Sequence, residues 1–234
     1  MISTIEENIK IIKEKIAEAA LRTGRNPSDV NLMAVSKTKP LEEAVAAAEC
    51  GVLLGENYVQ EFKDKFDARP DLPWHFIGHL QKNKVKYVVP RALMIHSVDS
   101  FELAEKISLE AEKREKEVSC LVEINSGDEE NKFGLTIGDS AYIIDMIKKI
   151  MELPNIKVKG LMTVAPFVEN GEKNREIFKK MKSCFDEVKS ICSDADTLSM
   201  GMSGDFEVAA EEGATIVRVG TKIFGERNYN KQKG

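Results

Sequence analysis

The sequence predicts an α/β protein, a closed (β/α)8 barrel with one extra helix at its N-terminus. Three observations carry that prediction. Eight short, almost continuously apolar runs recur along the chain, helical patterns separate them, and no Pro/Gly/Ser-rich linker divides the 234 residues. Strands that are apolar on both faces belong to a parallel sheet covered by helices. Eight strand–helix units in this length fit a single closed barrel, one domain over residues 1–234, better than an open sheet. A doubly wound sheet would want a G-x-G-x-x-G turn after its first strand, where this chain has Thr38-Lys39-Pro40.

The extra helix comes first. Ile2, Ile5, Ile9, Ile12 and Ile16 recur at three- and four-residue spacing over Ile2–Leu21. Ser3 and Thr4, each with a glutamate three positions on, offer a capping-box start, and Gly24 a stop. Glu6, Glu7, Glu14 and Glu18 mix acid into its polar face, so it reads as a helix covering a core rather than one lying on a membrane.

The alternation then begins. Leu32–Lys37 is the first strand, followed by an alanine-rich helix over Leu41–Cys50. Val52–Asn57 is the second, with a helix through Phe62 and Phe66. Trp74–Gly78 is the third, and the helix after it carries Lys82, Lys84 and Lys86 on a solvated face. Leu93–Val98 is the fourth, before a charged helix from Ser100. Ser119–Asn125 is the fifth, then a polar loop to Gly134 and a helix near Tyr142–Met151. Val158–Val164 is the sixth, with a long helix over Asn174–Cys192. Thr197–Met202 is the seventh, with a helix through Val208–Glu212, and Thr215–Gly220 is the eighth.

Composition narrows the class. A hydrophobic content of 42% supports a sizeable core, and a formal net charge of -5 argues against a generic nucleic-acid or anionic-membrane binder. Cys50, Cys120, Cys184 and Cys192 are scattered without a C-x-x-C pair, which fits neither a disulfide framework nor a zinc site and suits a reducing cytosol. With no apolar stretch of membrane-spanning length and no signal-peptide core, a soluble cytoplasmic protein is expected.

In such barrels the chemistry lies where the strands end, and phosphate often sits at the turns after strands seven and eight. Those ends here are Lys37, Asn57, His79, Ser97, Asn125, Thr163, Ser203 and Thr221. Met202-Ser203-Gly204-Asp205 and Gly220-Thr221-Lys222 each place a hydroxyl and a glycine at a strand-to-helix turn. Either could be an ordinary N-cap. Two adjacent turns of this kind favour phosphate, because glycine lets it approach backbone N–H groups. Arg218 lies inside an apolar strand, where it either pairs with a glutamate such as Glu56 or Glu123 or lines a ligand site as a fixed donor.

Lys37 closes the first apolar run. It reads either as a barrel-mouth lysine reaching solvent or as a desolvated amine able to form a Schiff base with a carbonyl. Lys39, directly before Pro40, reads as a solvated loop residue. A lysine nucleophile, an arginine and a phosphate anchor together suggest a phosphorylated aldehyde, of which pyridoxal phosphate is the obvious member. His75-Phe76-Ile77-Gly78-His79 has no cysteine partner and does not read as a metal site. His79 is expected at the ligand, and His75 and His96 as structural histidines.

Six stretches carry a family likeness. They are Ala34–Pro40, Gly55–Glu61, Trp74–Gln81, Gly160–Thr163, Leu198–Ser203 and Val217–Thr221. Together they make the chain resemble the pyridoxal-phosphate homeostasis proteins, single-domain relatives of the alanine racemase TIM barrel, nearly end to end. The resemblance implies that Lys37 holds pyridoxal 5'-phosphate as an internal aldimine. It also implies that Ser203, Gly220 and Thr221 bind the phosphate and that Arg218 faces the pyridine nitrogen. Asn57 would line the site, with Met202 and His79 near it. An arginine there opposes protonation of the ring nitrogen and weakens the ring as an electron sink.

The chain departs from the racemases in lacking their second, β-rich domain, which supplies an acid/base tyrosine; Tyr229 lies in the short tail and inherits no such role. The Asn125–Gly134 loop matches the racemase loop only in outline, with Lys132 where an arginine is usual. The resemblance therefore implies a non-catalytic protein that carries or buffers pyridoxal phosphate and passes it to apoenzymes, with a monomer expected. The alternative is a pyridoxal-phosphate-dependent amino-acid racemase or lyase using the same residues. A barrel enzyme acting on another phosphorylated aldehyde is a third.

Overall fold

The apolar runs become strands whose neighbours lie far apart in sequence, so the sheet can form only by right-handed β–α–β crossovers. In the computed structural model, which describes residues 2–127, 133–138 and 140–226, the strands are β1 Asn31–Val35, β2 Leu53–Glu56, β3 Trp74–Phe76, β4 Met94–Val98, β5 Val118–Asn125, β6 Leu135–Thr136, β7 Ile156–Thr163, β8 Thr197–Ser199 and β9 Ile216–Val219. Every pairing is parallel. The order runs β4-β3-β2-β1-β9-β8-β7-β5, and β4 pairs β5 through Met94 and Ser119 to close the ring. This is the eight-stranded TIM barrel. β6 is a two-residue addition beside β5, pairing Ile124 with Leu135. It is too short for any hydrophobic period to announce it.

The helices are α1 Ile2–Arg22, α2 Leu41–Glu49, α3 Val59–Ala68, α4 Val85–Val88, α5 Phe101–Glu112, α6 Ser140–Met151, α7 Arg175–Ile191, α8 Phe206–Glu211 and α9 Thr221–Phe224. α1 buries Ile5, Ile9, Ile12 and Ile16 as its spacing requires. It covers the barrel beside the last strand: Asn8 Nδ2 donates to Ile223 O at 3.0 Å and Arg22 Nε to Glu211 at 2.7 Å. The expected capping box is absent, because the helix already runs from Ile2 and puts both Ser3 and Thr4 inside its first turn. Gly24 does end it: at φ +71 it lets Arg25 N–H reach Ala20 O at 2.9 Å.

Several strands are shorter than the apolar runs suggest. β8 stops at Ser199 rather than Met202, because Gly201, at φ +90, turns the chain away from the sheet. The lysine-bearing helix after β3 is reduced to a 3-10 turn over Lys82–Lys84 and the single turn of α4.

Two cores result. The outer one lies between strands and helices; Phe62 of α3 packs edge-on against Phe76 of β3 at 5.5 Å. On β9, Val217 and Val219 join that layer, so alternation turns Ile216 and Arg218 into the barrel. The four cysteines are free thiols. Among the described residues, no helix is long and apolar enough to cross a membrane. Lys132 and Tyr229 lie outside the described residues.

Candidate functional site

Parallel closure brings the ends of all the strands to one face. There a cavity of about 330 Å³ opens over β1, β8 and β9. It is lined by Lys37, Asn57, Met202, Ser203, Arg218, Gly220 and Thr221, seven of the eight residues expected from sequence. Lys37 is half-buried two residues past the end of β1. The two glycine turns meet as their spacing suggested: Gly220 N–H donates to Ser203 Oγ at 3.3 Å. A Cβ on Gly220 would lie 3.3 Å from Val35 O, so glycine keeps that side of the cavity open.

His79 is the residue not brought in. β3 ends at Phe76, Ile77 lines the cavity instead, and Gly78 packs against the backbone of Asn57. His79 is thereby carried into a neighbouring groove, where its Nδ1 lies 3.3 Å from Asp99 and its ring stacks on Phe133 at 3.6 Å. Asn57 forms part of both walls, and its Oδ1 is buried with no hydrogen-bond partner among the described residues.

Arg218 is 4% exposed, and the ion pair to Glu56 or Glu123 is not what holds it. Glu56 is engaged by Lys65 at 2.7 Å, and among the described residues no carboxylate lies within ion-pair distance of Arg218. Its Nη1 donates to Ser199 Oγ and its Nη2 to the Thr163 carbonyl, each at 2.7 Å. Burial lowers its pKa to about 10, while the charges of Asp205 and Glu123 pull it back up, so it remains a cation at neutral pH. The same field acts on Glu123, which burial and Asp99 raise to about 7 against the pull of Arg218.

Behind Arg218 the barrel interior is polar. Ser199 Oγ lies 3.2 Å from His96 Nδ1, and His96 Nε2 lies 3.0 Å from His75 Nδ1. Burial depresses both imidazoles, His75 to about 4 and His96 well below its ordinary value, with His75 and Arg218 adding to the effect on His96. Both are neutral structural histidines, as expected.

Sequence reasoning missed three contributors. Asp205 lines the cavity beside the glycine turns; its Oδ1 accepts Met202 N–H at 2.6 Å and its Oδ2 accepts Asn174 Nδ2 at 2.7 Å. A polar residue directly after Ser203-Gly204 was the available signal. The rim Val164–Val168 follows β7 and carries Phe167, 90% exposed; nothing in its spacing marks it. Lys39 is half-buried and bonded rather than a free loop residue: its Nζ donates to Phe224 O at 2.8 Å, tying the first strand end to α9 at the cavity edge.

This arrangement offers a primary amine, a fixed guanidinium and a hydroxyl–glycine turn to one small ligand. The family described as "Alanine racemase, N-terminal domain" matches residues 2–228. The chain is 44% identical over 227 residues to the pyridoxal phosphate homeostasis protein of Aquifex aeolicus, covering 95% of this chain and 98% of that one. A solved protein of unknown function from Bifidobacterium adolescentis is 36% identical, with a TM-score of 0.90 and 95% of both chains covered. PipY of Synechococcus elongatus, solved with PLP bound, is 33% identical with a TM-score of 0.74, covering 90% of this chain and 100% of that one.

Proposed function

The chain belongs to the alanine racemase N-terminal domain family and, within it, to the pyridoxal phosphate homeostasis proteins; from that premise we propose that it binds pyridoxal 5'-phosphate in this cavity. It carries or buffers the cofactor in the cytoplasm, as a single-domain monomer, for apoenzymes that require it, and turns over no substrate of its own. The observation that carries the reading is the meeting of Lys37, Arg218 and the Ser203–Gly220 turns around one cavity.

The residues fit the group. Asn57 Oδ1 is a buried acceptor without a partner among the described residues, suited to a ring hydroxyl. Gly220 leaves room for a phosphate against the backbone. The cofactor supplies an aldehyde that condenses with a primary amine, with loss of water, and a phosphate for anchoring.

Lys37 is the amine that holds it, as an aldimine. Ser203, Gly220 and Thr221 hold the phosphate, Met202 and Asn57 wall the ring, and Arg218 faces the pyridine nitrogen. The guanidinium keeps its charge at neutral pH and opposes a second positive charge beside it. A ring left unprotonated is a poor electron sink, which suits cargo better than catalysis. The relatives' name, homeostasis protein, supports the same choice.

Absorption spectroscopy tests it. Purified protein supplied with pyridoxal phosphate should gain a visible band that Lys37→Ala lacks while still folding. A wild type that takes up no cofactor would refute the reading. Racemisation of an amino-acid panel by the loaded protein, well above that by free cofactor, would favour the enzyme instead.

A further inference from the structure

The segment carrying Lys37 is gripped from outside the cavity by a buried charge cluster that cofactor binding does not itself use. Lys65, on α3, aims its Nζ at three oxygens: Glu56 Oε1 at 2.7 Å, Glu61 Oε1 at 2.8 Å and the backbone carbonyl of Ser36 at 2.8 Å. Ser36 Oγ donates to the same Glu56 oxygen at 2.6 Å, and Thr38 N–H donates to the same Glu61 oxygen at 2.7 Å. The residues before and after Lys37 are thus bonded into one cluster, with Lys65 at its centre.

The local backbone explains why a grip is needed. Thr38 has φ +64, a left-handed conformation that a β-branched residue avoids unless its surroundings impose it. The Glu61 carboxylate supplies the restraint through a charge-assisted bond to the Thr38 amide, and Lys65 holds Glu61 in place. The Ser36 carbonyl is fixed twice, by Lys65 and by Lys39 N–H at 3.1 Å. The cluster reaches further round the cavity: the Ser36–Glu56 bond joins the ends of β1 and β2, immediately before Lys37 and Asn57, and Glu56 O accepts Ile77 N–H at 2.9 Å.

We propose that Glu61 and Lys65 are positioning residues for Lys37, fixing through Thr38 N–H and Ser36 O the backbone from which its amine enters the cavity. The proposal rests on Lys37 being the residue that holds the cofactor. A cluster that only stabilised the barrel would leave cofactor uptake untouched once the variant had folded.

The test compares Glu61→Met, which removes the acceptor and keeps the volume, with Glu61→Gln, which restores a weaker, neutral acceptor. Glu61 is chosen because its side chain is partly exposed, whereas Glu56 is fully buried. In cofactor-free protein, exchange of the Thr38 amide should accelerate by roughly tenfold or more in Glu61→Met. Uptake of pyridoxal phosphate, followed by the visible band, should slow by roughly tenfold to a hundredfold, with Glu61→Gln between it and wild type.

Uptake at the wild-type rate in a folded Glu61→Met protein would overturn the proposal, as would unchanged Thr38 exchange. Should Glu61→Met not fold, Glu61→Gln decides alone, with slowed uptake supporting the proposal and wild-type uptake overturning it. A wild type that develops no band refutes the role of Lys37 instead, a result that the exchange measurement keeps separate.

Discussion

Lowering the pH from about 7 to about 4.5 should cost the fold about 2 kcal/mol through His75 alone. His75 shares a hydrogen bond with His96 at 3.0 Å, and burial depresses it from 6.5 to about 4. The unfolded chain therefore takes up a proton below about pH 6.5, while the folded chain refuses it until about pH 4. The stability contributed is present above the unfolded value and is lost as the pH falls through that window. About 1.4 kcal/mol per unit over roughly two units, less the rounding at the ends, gives the stated figure. His96, lowered further, acts in the same direction.

Glu123 works against them. Its folded value is raised to about 7, so it stabilises the fold at low pH and loses that contribution as the pH rises. The wild-type slope is consequently a difference of opposing groups, and the clean measurement is a comparison. Urea unfolding of cofactor-free wild type and His75→Gln, at both pH values, should show the variant losing about 2 kcal/mol less on acidification. Parallel pH profiles for the two proteins would refute the claim that His75 is held neutral by burial.

Three further outcomes follow from contacts already described. Lys65→Met strands a Glu56 carboxylate that is fully buried, and should lower unfolding free energy by about 3–5 kcal/mol in a urea titration. Gly78→Ala puts a methyl into the backbone of Asn57, 2.6 Å from its Cα, and should cost about 3 kcal/mol, read the same way, while weakening cofactor uptake through the displaced Asn57. Ser199→Ala leaves an Arg218 donor and His96 Nδ1 without their shared partner; a loss of about 1–3 kcal/mol is expected, with a shifted visible band in the loaded protein.

The barrel was legible because each strand is buried on both faces: runs such as Leu121-Val122 and Val217-Arg218-Val219 have no solvent side to interrupt them. Lys37, Ser203 and Gly220 were legible for a related reason. They are polar or small residues where apolar runs stop, and parallel closure sends all such ends to one face. Boundaries were less so, since Thr197–Met202 stays apolar past Ser199 while Gly201 takes the backbone out of the sheet. That His79 lines the neighbouring groove and not this cavity was not legible, because only the path after Phe76 decides it.

The partners of Arg218 were invisible for another reason. Ser199 and Thr163 sit 19 and 55 positions from it, and the three meet only where closure of the barrel brings β8, β7 and β9 together. Nor does a helical lysine such as Lys65 announce that it faces inward. Its partner Glu56, at a strand end, read as a candidate partner for Arg218 instead.

Arg218 also imposes a direction on the barrel interior. A guanidinium has protons to give and no lone pair to receive one. Ser199 Oγ must therefore accept from it, and the hydroxyl's own proton goes to its other partner, His96 Nδ1. A neutral His96 then carries its hydrogen on Nε2 and offers it to His75 Nδ1, leaving His75 protonated on Nε2. One arginine at the cavity wall thus selects a single tautomer for two imidazoles beyond it. The row of dipoles is aligned head to tail, and reversing it would leave the buried Ser199 hydroxyl proton without an acceptor among these partners.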